Sequence, residues 1–317
     1  MTKKIAVTFS DLTENHLSKI TATAPGFQIL SGDMVTSDIS ECEIVFGHIS
    51  PDQLRSAKNL KWLHTQSAGV DYYLRPEMGL SESVMLTNSA GMHGISIAEH
   101  MLGFTLMLMR RLHSYTTQQA QHKWEYLGAV QSIYQSTIAV IGLGGIGSQY
   151  ASRCRALGAT VRGVVRTPRR DIPDCVDALF TIDQLDEAIK DADVVALTLP
   201  STAETAQLFS KERMLKMKKG AILLNIGRGT AIDQDAMIAL LESGHLGGAG
   251  LDVTEPEPLP ADSRLWDLPN VVLTPHVSGG GTLALTSDLI VDRFIAYLQD
   301  YIAGRPFEKV VDRKAGY

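Results

Sequence analysis

The sequence predicts an α/β protein built from two doubly wound parallel-sheet domains with a cleft between them. Continuous apolar runs of strand length alternate with longer helical stretches from end to end. The chain has 317 residues, comfortable for two domains of roughly 100–200 each. A long helical insert, from residue 94 to about 124, separates the strands into two groups. Strands buried on both faces read as unbroken Val, Ile, Leu and Ala runs, and parallel neighbours need helical crossovers.

The expected strands are 5–9, 44–47, 60–65 and 84–88 before the insert, then 137–141, 160–165, 194–199, 221–226, 248–252 and 271–274 after it. A last helix runs from 283 to about 301 and returns to the first domain. The boundaries follow: 1–98 plus 284–317 form one domain, and 99–283 form the other. Ligands in such sheets bind beyond the carboxyl ends of the strands.

Composition narrows the function classes. Apolar residues make up 44% and charged ones 20%, which excludes a disordered chain. The net charge of −6 excludes a nucleic-acid or anionic-membrane surface, since both need a positive field. Attraction for an anionic substrate must then be local. The three cysteines, Cys42, Cys154 and Cys175, form no CxxC pair, which suits a reducing, cytoplasmic setting. Lys3 and Lys4 precede an apolar run that breaks at Ser10-Asp11, too short for a signal peptide. Residues 95–109 are apolar but contain Glu99 and His100, and fall short of the roughly 20 residues of a membrane span. No metal site is expected.

The strand 137–141 leads straight into Gly142-Leu143-Gly144-Gly145-Ile146-Gly147 and a helix. This is G-x-G-x-x-G in its strand–turn–helix setting, the Rossmann fingerprint for a dinucleotide. Gly142 permits the turn, Gly144 admits a pyrophosphate to the backbone, and Gly147 lets helix and strand close together. An NAD site usually places an acid at the end of the second strand. Here that strand ends in Val165, followed by Arg166-Thr167-Pro168-Arg169-Arg170. Arginine forks suit a 2′-phosphate, so Arg166, Thr167 and Arg169 favour NADP(H) while leaving NAD(H) possible. A solvated basic loop is the plainer alternative.

Three further strand ends carry reactive side chains. The strand 221–226 runs through Gly227 into Arg228, a candidate bidentate clamp for a substrate carboxylate. Asp252 begins an acidic, proline-stiffened loop with Glu255 and Glu257, either of which also suits a solvated turn. His276 lies just past the strand 271–274, whereas His64 falls in a strand and His100 in a buried helix. Reducing a ketone requires a hydride donor, an acid for the developing alkoxide and a cation for the substrate carboxylate. Histidine suits the acid, and a carboxylate on its other ring nitrogen stabilises imidazolium.

With these motifs in order, the whole chain resembles the D-2-hydroxyacid dehydrogenases, of the short type similar to glyoxylate/hydroxypyruvate reductases. The resemblance rests on the glycine loop, Leu197-Thr198-Leu199-Pro200, Asn225-Ile226-Gly227-Arg228-Gly229, the run from Leu251 to Pro258, and Leu273-Thr274-Pro275-His276-Val277-Ser278-Gly279. It implies Arg228, Glu257 and His276 as the catalytic set, with Glu257 the better match to the family acid than Glu255. It implies Leu199, Pro200, Thr205, Ile226, Gly227, Asp252 and Gly279 as cofactor-lining, beside Arg228 and His276. It assigns the substrate carboxylate to backbone amides around Ala68, Gly69 and Val70, in a loop similar to the family's. The segment from Asn88 to His100 resembles the crossover between domains. Val165-Arg166 departs from the aspartate of many relatives, which weakens any inference of NAD. The family forms homodimers through the cofactor domain, and residues 110–124 resemble part of that contact. Trp124 there either packs in the interface or reaches the partner's substrate cleft. Two alternatives keep the fold: phosphite-type oxidation, which uses the same three residue types, and a nucleotide-sensing corepressor-like interaction protein. The corepressors carry extended tails, whereas this chain continues about forty residues past His276.

Overall fold

The computed structural model describes residues 2–32, 39–168, 170–279 and 283–316. The chain divides into two compact units, Met1–His93 with Gly281–Tyr317, and Gly94–Gly280.

In the first unit β1 (Lys3–Thr8), β2 (Phe27–Ser31), β3 (Cys42–Gly47), β4 (Trp62–Thr65) and β5 (Met85–Asn88) form one parallel sheet in the order β2-β1-β3-β4-β5. Its helices include α1 (Glu14–Thr23), α2 (Pro51–Ser56) and α3 (Asp71–Leu74). Thr13 and Ser50 start α1 and α2 with reciprocal capping boxes, which satisfy amides the helix itself leaves open. Side chains alternate between faces. Ile5, Val7, Ile44, Phe46 and Trp62 pack on Ile290, Val291, Phe294 and Leu298 of the C-terminal helix Ala284–Ile302. Ala6, Val45 and Leu63 face Leu54, Tyr73 and Met78 on the other side. Phe46 and Phe294 stack at 4.1 Å between ring centres.

The second unit opens with α4 (Gly94–Met109) and α5 (Leu112–Ala120). A parallel sheet follows, with β6 (Thr137–Ile141), β7 (Thr160–Val165), β8 (Ala178–Thr181), β9 (Val194–Leu197), β10 (Ala221–Asn225), β11 (Leu246–Leu251) and β12 (Val271–Leu273). Their order is β12-β11-β10-β9-β6-β7-β8, so the winding reverses between β6 and β9. Helices α6 (Gly145–Ala156), α7 (Leu185–Ile189), α8 (Lys211–Leu215) and α9 (Gln234–Glu242) provide the crossovers. Ile138, Val140, Val194 and Ala196 face Met101, Phe104 and Tyr150, while Ala139, Ile141, Val195 and Leu197 face Ile189, Met237 and Leu241.

Register decides where the site lies. Ile141 pairs with Leu197, Leu197 with Asn225, Asn225 with Leu251, and Leu251 with Leu273. These strand ends form one row, and the residues after it emerge from one edge.

Two strands escape the sequence expectation, β2 and β8. Each is a sheet edge, and neither carries more than one fully buried residue, so no continuous apolar run marks it. The helical insert also differs. It breaks at Arg111, whose φ is +55°, and nothing helical follows Ala120 until α6. The chain returns instead: the Gln131 amide donates to Met109 O at 2.9 Å, and the Arg111 guanidinium donates to Leu127 O. The last open carbonyl of α4, that of Met109, is thus met by the returning segment, and no Gly or Pro announces the break. Among the described residues no helix is long and apolar enough to cross a membrane.

Candidate active site

The turn after β6 is shaped by what its glycines lack. Gly142 has φ +98°, and a Cβ on Gly147 would sit 1.9 Å from Gly142 O. Glycine at both positions lets α6 close onto the turn. Thr198 Oγ1 donates to Gly142 O at 2.7 Å and fixes that carbonyl. Gly144 caps α6, and nothing lies within 4 Å of where its Cβ would point. Gly145, Ile146 and Gly147 form the first turn of α6, which no side chain caps. Free amides and a positive dipole end there fit a dinucleotide pyrophosphate.

Past β7, Val165 is buried, while Arg166 and Thr167 are exposed. Arg166 lies 3.8 Å from Glu204, itself exposed. Arg169 lies outside the described residues. Past β9, Leu199 is half-buried and Pro200 exposed. Thr205 Oγ1 donates to Pro200 O at 2.7 Å and closes that turn.

Past β10, Asn225 folds the chain around its own amide. Its Oδ1 accepts from the Gly227 amide at 3.0 Å and its Nδ2 donates to Arg228 O at 2.9 Å. Ile226 is buried beneath the turn, and the Arg228 guanidinium donates to Gly227 O at 2.8 Å. Gly229 then approaches the next loop so closely that a Cβ would lie 2.0 Å from Thr254 O. That contact sets the Arg228 turn directly against the loop carrying Glu257.

The loop after β11 separates its two glutamates. Gln234, at the start of α9, brackets the Glu255 backbone: its Nε2 donates to Glu255 O at 2.8 Å and its Oε1 accepts from the Glu255 amide at 3.1 Å. Glu257 turns the other way. Its Oε1 accepts from the Thr254 amide at 3.1 Å, and its Oε2 lies 2.9 Å from His276 Nδ1. The structure therefore pairs His276 with Glu257 and not with Glu255.

His276 is held at φ +53°, a backbone conformation that costs of order 1 kcal/mol or more unless its surroundings enforce it. Asp252 supplies the enforcement. Its carbonyl accepts from the His276 amide at 2.8 Å, and its carboxylate accepts from Thr274 Oγ1 (2.6 Å), the Val277 amide (2.9 Å) and the Ser278 amide (3.0 Å). Burial pushes this carboxyl up, but the bonds from Ser278, Thr274 and Val277 outweigh it and hold it below the usual range. His100 Nε2 reaches Thr274 Oγ1 at 3.0 Å from α4. Since that hydroxyl donates to Asp252, His100 must donate to it. Gly279 ends the described part of the loop. A cavity of about 640 Å³ opens beside the pair, walled by Pro258, Leu259, Trp266, Leu273 and Pro275.

The first unit holds the other expected site. Ala68, Gly69 and Val70 lie between β4 and α3, at the carboxyl edge of their own sheet. Their amides donate to no other group among the described residues.

Residues 102–278 match the family model for the NAD-binding domain of the D-isomer specific 2-hydroxyacid dehydrogenases. The chain belongs to that family. The dehydrogenase is 33% identical over 262 residues to glyoxylate/hydroxypyruvate reductase B of Pectobacterium carotovorum, covering 80% of each chain. It is 32% identical over 265 residues to D-3-phosphoglycerate dehydrogenase of Synechocystis, spanning 82% of this chain but only 46% of that protein. Among solved structures, a D-isomer specific 2-hydroxyacid dehydrogenase family protein from Aeromonas salmonicida matches with TM-score 0.86 and 32% identity, over 99% of this chain and all of that one. An NADPH-dependent glyoxylate/hydroxypyruvate reductase from Sinorhizobium meliloti, solved with NADP and sulfate, matches with TM-score 0.85 and 26% identity, again over 99% and 100%. The second unit of the dehydrogenase is accordingly a nicotinamide-dinucleotide domain on a parallel α/β sheet.

Sequence reasoning missed the residues that place the reactive ones. Gln234 and Thr274 act on partners 21 and 22 residues away, Glu255 and Asp252, while Asn225 and Thr254 act within their own turns, on residues two or three positions on. Only Gly229 left a signal, as a second glycine flanking the arginine.

Proposed function

We propose that this dehydrogenase reduces small 2-keto acids to D-2-hydroxy acids, reversibly, with NADP(H) preferred over NAD(H). The observation that carries the reading is the 2.9 Å contact between Glu257 and His276 Nδ1, on the same sheet edge as Arg228 and the glycine turn. Bound reduced nicotinamide supplies the hydride. With Nδ1–H donating to Glu257, imidazolium His276 has its second proton on Nε2, which donates to no described group. Nε2 delivers that proton to the carbonyl oxygen as the alkoxide develops, and in the oxidative direction its lone pair removes the hydroxyl proton. Glu257 fixes the tautomer and offsets the charge of the imidazolium. Arg228 clamps the substrate carboxylate, helped by the amides of Ala68, Gly69 and Val70.

The cofactor preference rests on Arg166 and Thr167 and on the missing acid at Val165. The Arg166–Glu204 contact, exposed and 3.8 Å long, is worth about 0–1 kcal/mol, so a phosphate dianion can displace it. We also propose a homodimer through the cofactor domain. The helix α5 buries none of its residues, and Leu112, Trp124, Tyr126 and Val130 are exposed nearby, apolar side chains that a second copy would cover. Sparse cysteines suit a cytoplasmic enzyme.

The test is a panel of glyoxylate, hydroxypyruvate, pyruvate and branched or aromatic 2-keto acids, each with NADPH and NADH. Oxidation of neither cofactor by any of them would refute the function. A higher kcat/KM with NADH would refute the preference alone.

A further inference from the structure

The loop 66–70 could turn either its carbonyls or its amides outward, and only the amides attract a carboxylate. Four consecutive carbonyls in and just before it are each claimed by a donor from the segment 88–93. Ser89 Oγ donates to Thr65 O at 3.1 Å, and the Ser89 amide to Ser67 O at 3.1 Å. His93 Nε2 donates to Gln66 O at 2.9 Å, and Asn88 Nδ2 to Ala68 O at 2.7 Å. With the Ser67 and Ala68 oxygens drawn toward the segment 88–93, the peptide groups that carry the Ala68 and Gly69 amides are left to present their N–H side elsewhere, and Val70 follows on the same loop.

The direction of the Ser89 bond is itself determined. Trp62 Nε1 can only donate, and it lies 2.8 Å from Thr87 Oγ1. The Thr87 hydroxyl then donates to His64 Nδ1 at 2.7 Å. That leaves the proton of neutral His64 on Nε2, which donates to Ser89 Oγ at 3.2 Å. Ser89 passes its own proton to Thr65 O, a pure acceptor. A chain with a fixed donor at one end and a fixed acceptor at the other has one proton arrangement. All four side chains are buried, so water does not compete for the bonds.

We propose that His64, Asn88, Ser89 and His93 are positioning residues for the substrate carboxylate, holding the 66–70 loop with its amides turned out. The inference rests on the proposed reading of that loop and adds the machinery behind it. A neutral histidine at position 64 is intrinsic to the device. Its burial among Phe46, Trp62, Phe294 and Tyr297 keeps it neutral.

The experiment compares Asn88→Ala, His93→Leu and His93→Gln with the wild type, using the best keto acid of the panel and oxalate as a competitive anion. Asn88→Ala and His93→Leu should each raise both the keto-acid KM and the oxalate Ki about tenfold, the usual effect of one lost hydrogen bond. The kcat and the KM for NADPH should stay within about threefold. His93→Gln keeps a donor near Nε2 and should recover most of the loss. Asn88 is half-exposed, so its variant decides the matter even if His93→Leu does not fold. Unchanged KM and Ki at wild-type Tm would overturn the proposal, as would a fall in kcat at constant KM. A His93→Gln variant as weak as His93→Leu would overturn it for His93. A wild type that reduces no 2-keto acid would overturn the parent reading and this one together; active wild type with indifferent variants would overturn this one alone.

Discussion

Adding one methyl group to Gly229 should disable the enzyme although Arg228, Glu257 and His276 all remain unsubstituted. The Cβ of Gly229→Ala would fall 2.0 Å from Thr254 O, 2.1 Å from its carbonyl carbon and 2.7 Å from the Glu255 amide nitrogen. All three are backbone atoms, so no side chain can swing aside. Ordinary contact begins near 3.4 Å, so the Arg228 turn and the 254–258 loop must separate by more than an ångström. The Thr254 amide holds Glu257 Oε1, and Glu257 Oε2 meets His276 at 2.9 Å. That contact cannot survive such a shift unaltered. A misplacement of about 1 Å costs catalysis about 10²-fold, and overpacking costs about 1–3 kcal/mol of stability. Steady-state assays with the best keto acid and NADPH should show kcat/KM down about a hundredfold. Cofactor binding, measured by NADPH fluorescence titration, should change little because the glycine turn is untouched. Activity within threefold of wild type would show that the loops yield without disturbing the pair, and the argument from close approach would be wrong.

His276→Ala should lower kcat by about 10²–10⁴-fold with near-normal NADPH affinity, and Glu257→Gln should lower it less; near-normal turnover of either variant would remove that residue from the mechanism. Arg228→Lys keeps the charge but loses the planar fork, so keto-acid KM should rise and kcat fall; a lysine enzyme equal to wild type would leave simple attraction sufficient. Val165→Asp with Arg166→Ala should turn the cofactor preference toward NADH, because the acid accepts from a ribose hydroxyl and repels a phosphate; an unaltered NADPH/NADH ratio of kcat/KM would sink the assignment. Burial, aided by Arg293, pushes the His64 imidazole down to about 3 from an ordinary 6.5. The unfolded chain therefore binds the extra proton between those values, and stability contributed by neutral His64 is lost as pH falls through that window. Between pH 7 and 4.5 the loss is about 2.5 kcal/mol at 1.36 kcal/mol per pKa unit. Urea melts of His64→Gln, which does not titrate there, should show a correspondingly smaller acid loss; equal losses would place the acid sensitivity elsewhere.

The two sheets were legible because central parallel strands must be apolar on both faces, as β6 and β9 to β11 are. Their edges were not, since β2 and β8 are half-exposed and follow no simple pattern. Arg228, Glu257 and His276 could be singled out as chemically capable groups just past strand ends, and the glycine turn by its setting. Choosing Glu257 over Glu255 from the residues alone was not possible. It depends on Gln234 taking hold of the Glu255 backbone across the fold. The break at Arg111 was equally hidden, because what ends α4 is a returning segment more than twenty residues downstream. Asp252 was read as cofactor-lining from resemblance, and that its carboxylate also ties down the His276 loop was not legible.

The single row from Ile141 through Leu197, Asn225 and Leu251 to Leu273 separates scaffold from reagent. Behind it, one residue of slip in any strand would exchange its two buried faces, so change there is punished throughout the core. In front of it the turns are tied to their neighbours by a few side chains, Thr198 on Gly142, Gln234 on Glu255 and Asp252 on the 276–278 loop. On the proposed assignment, the turn after β7 can be rewritten to trade one dinucleotide for another while the turns holding Arg228, Glu257 and His276 stand still. A designer could graft such a turn as a cassette, cutting at the row and leaving the sheet unaware of the exchange.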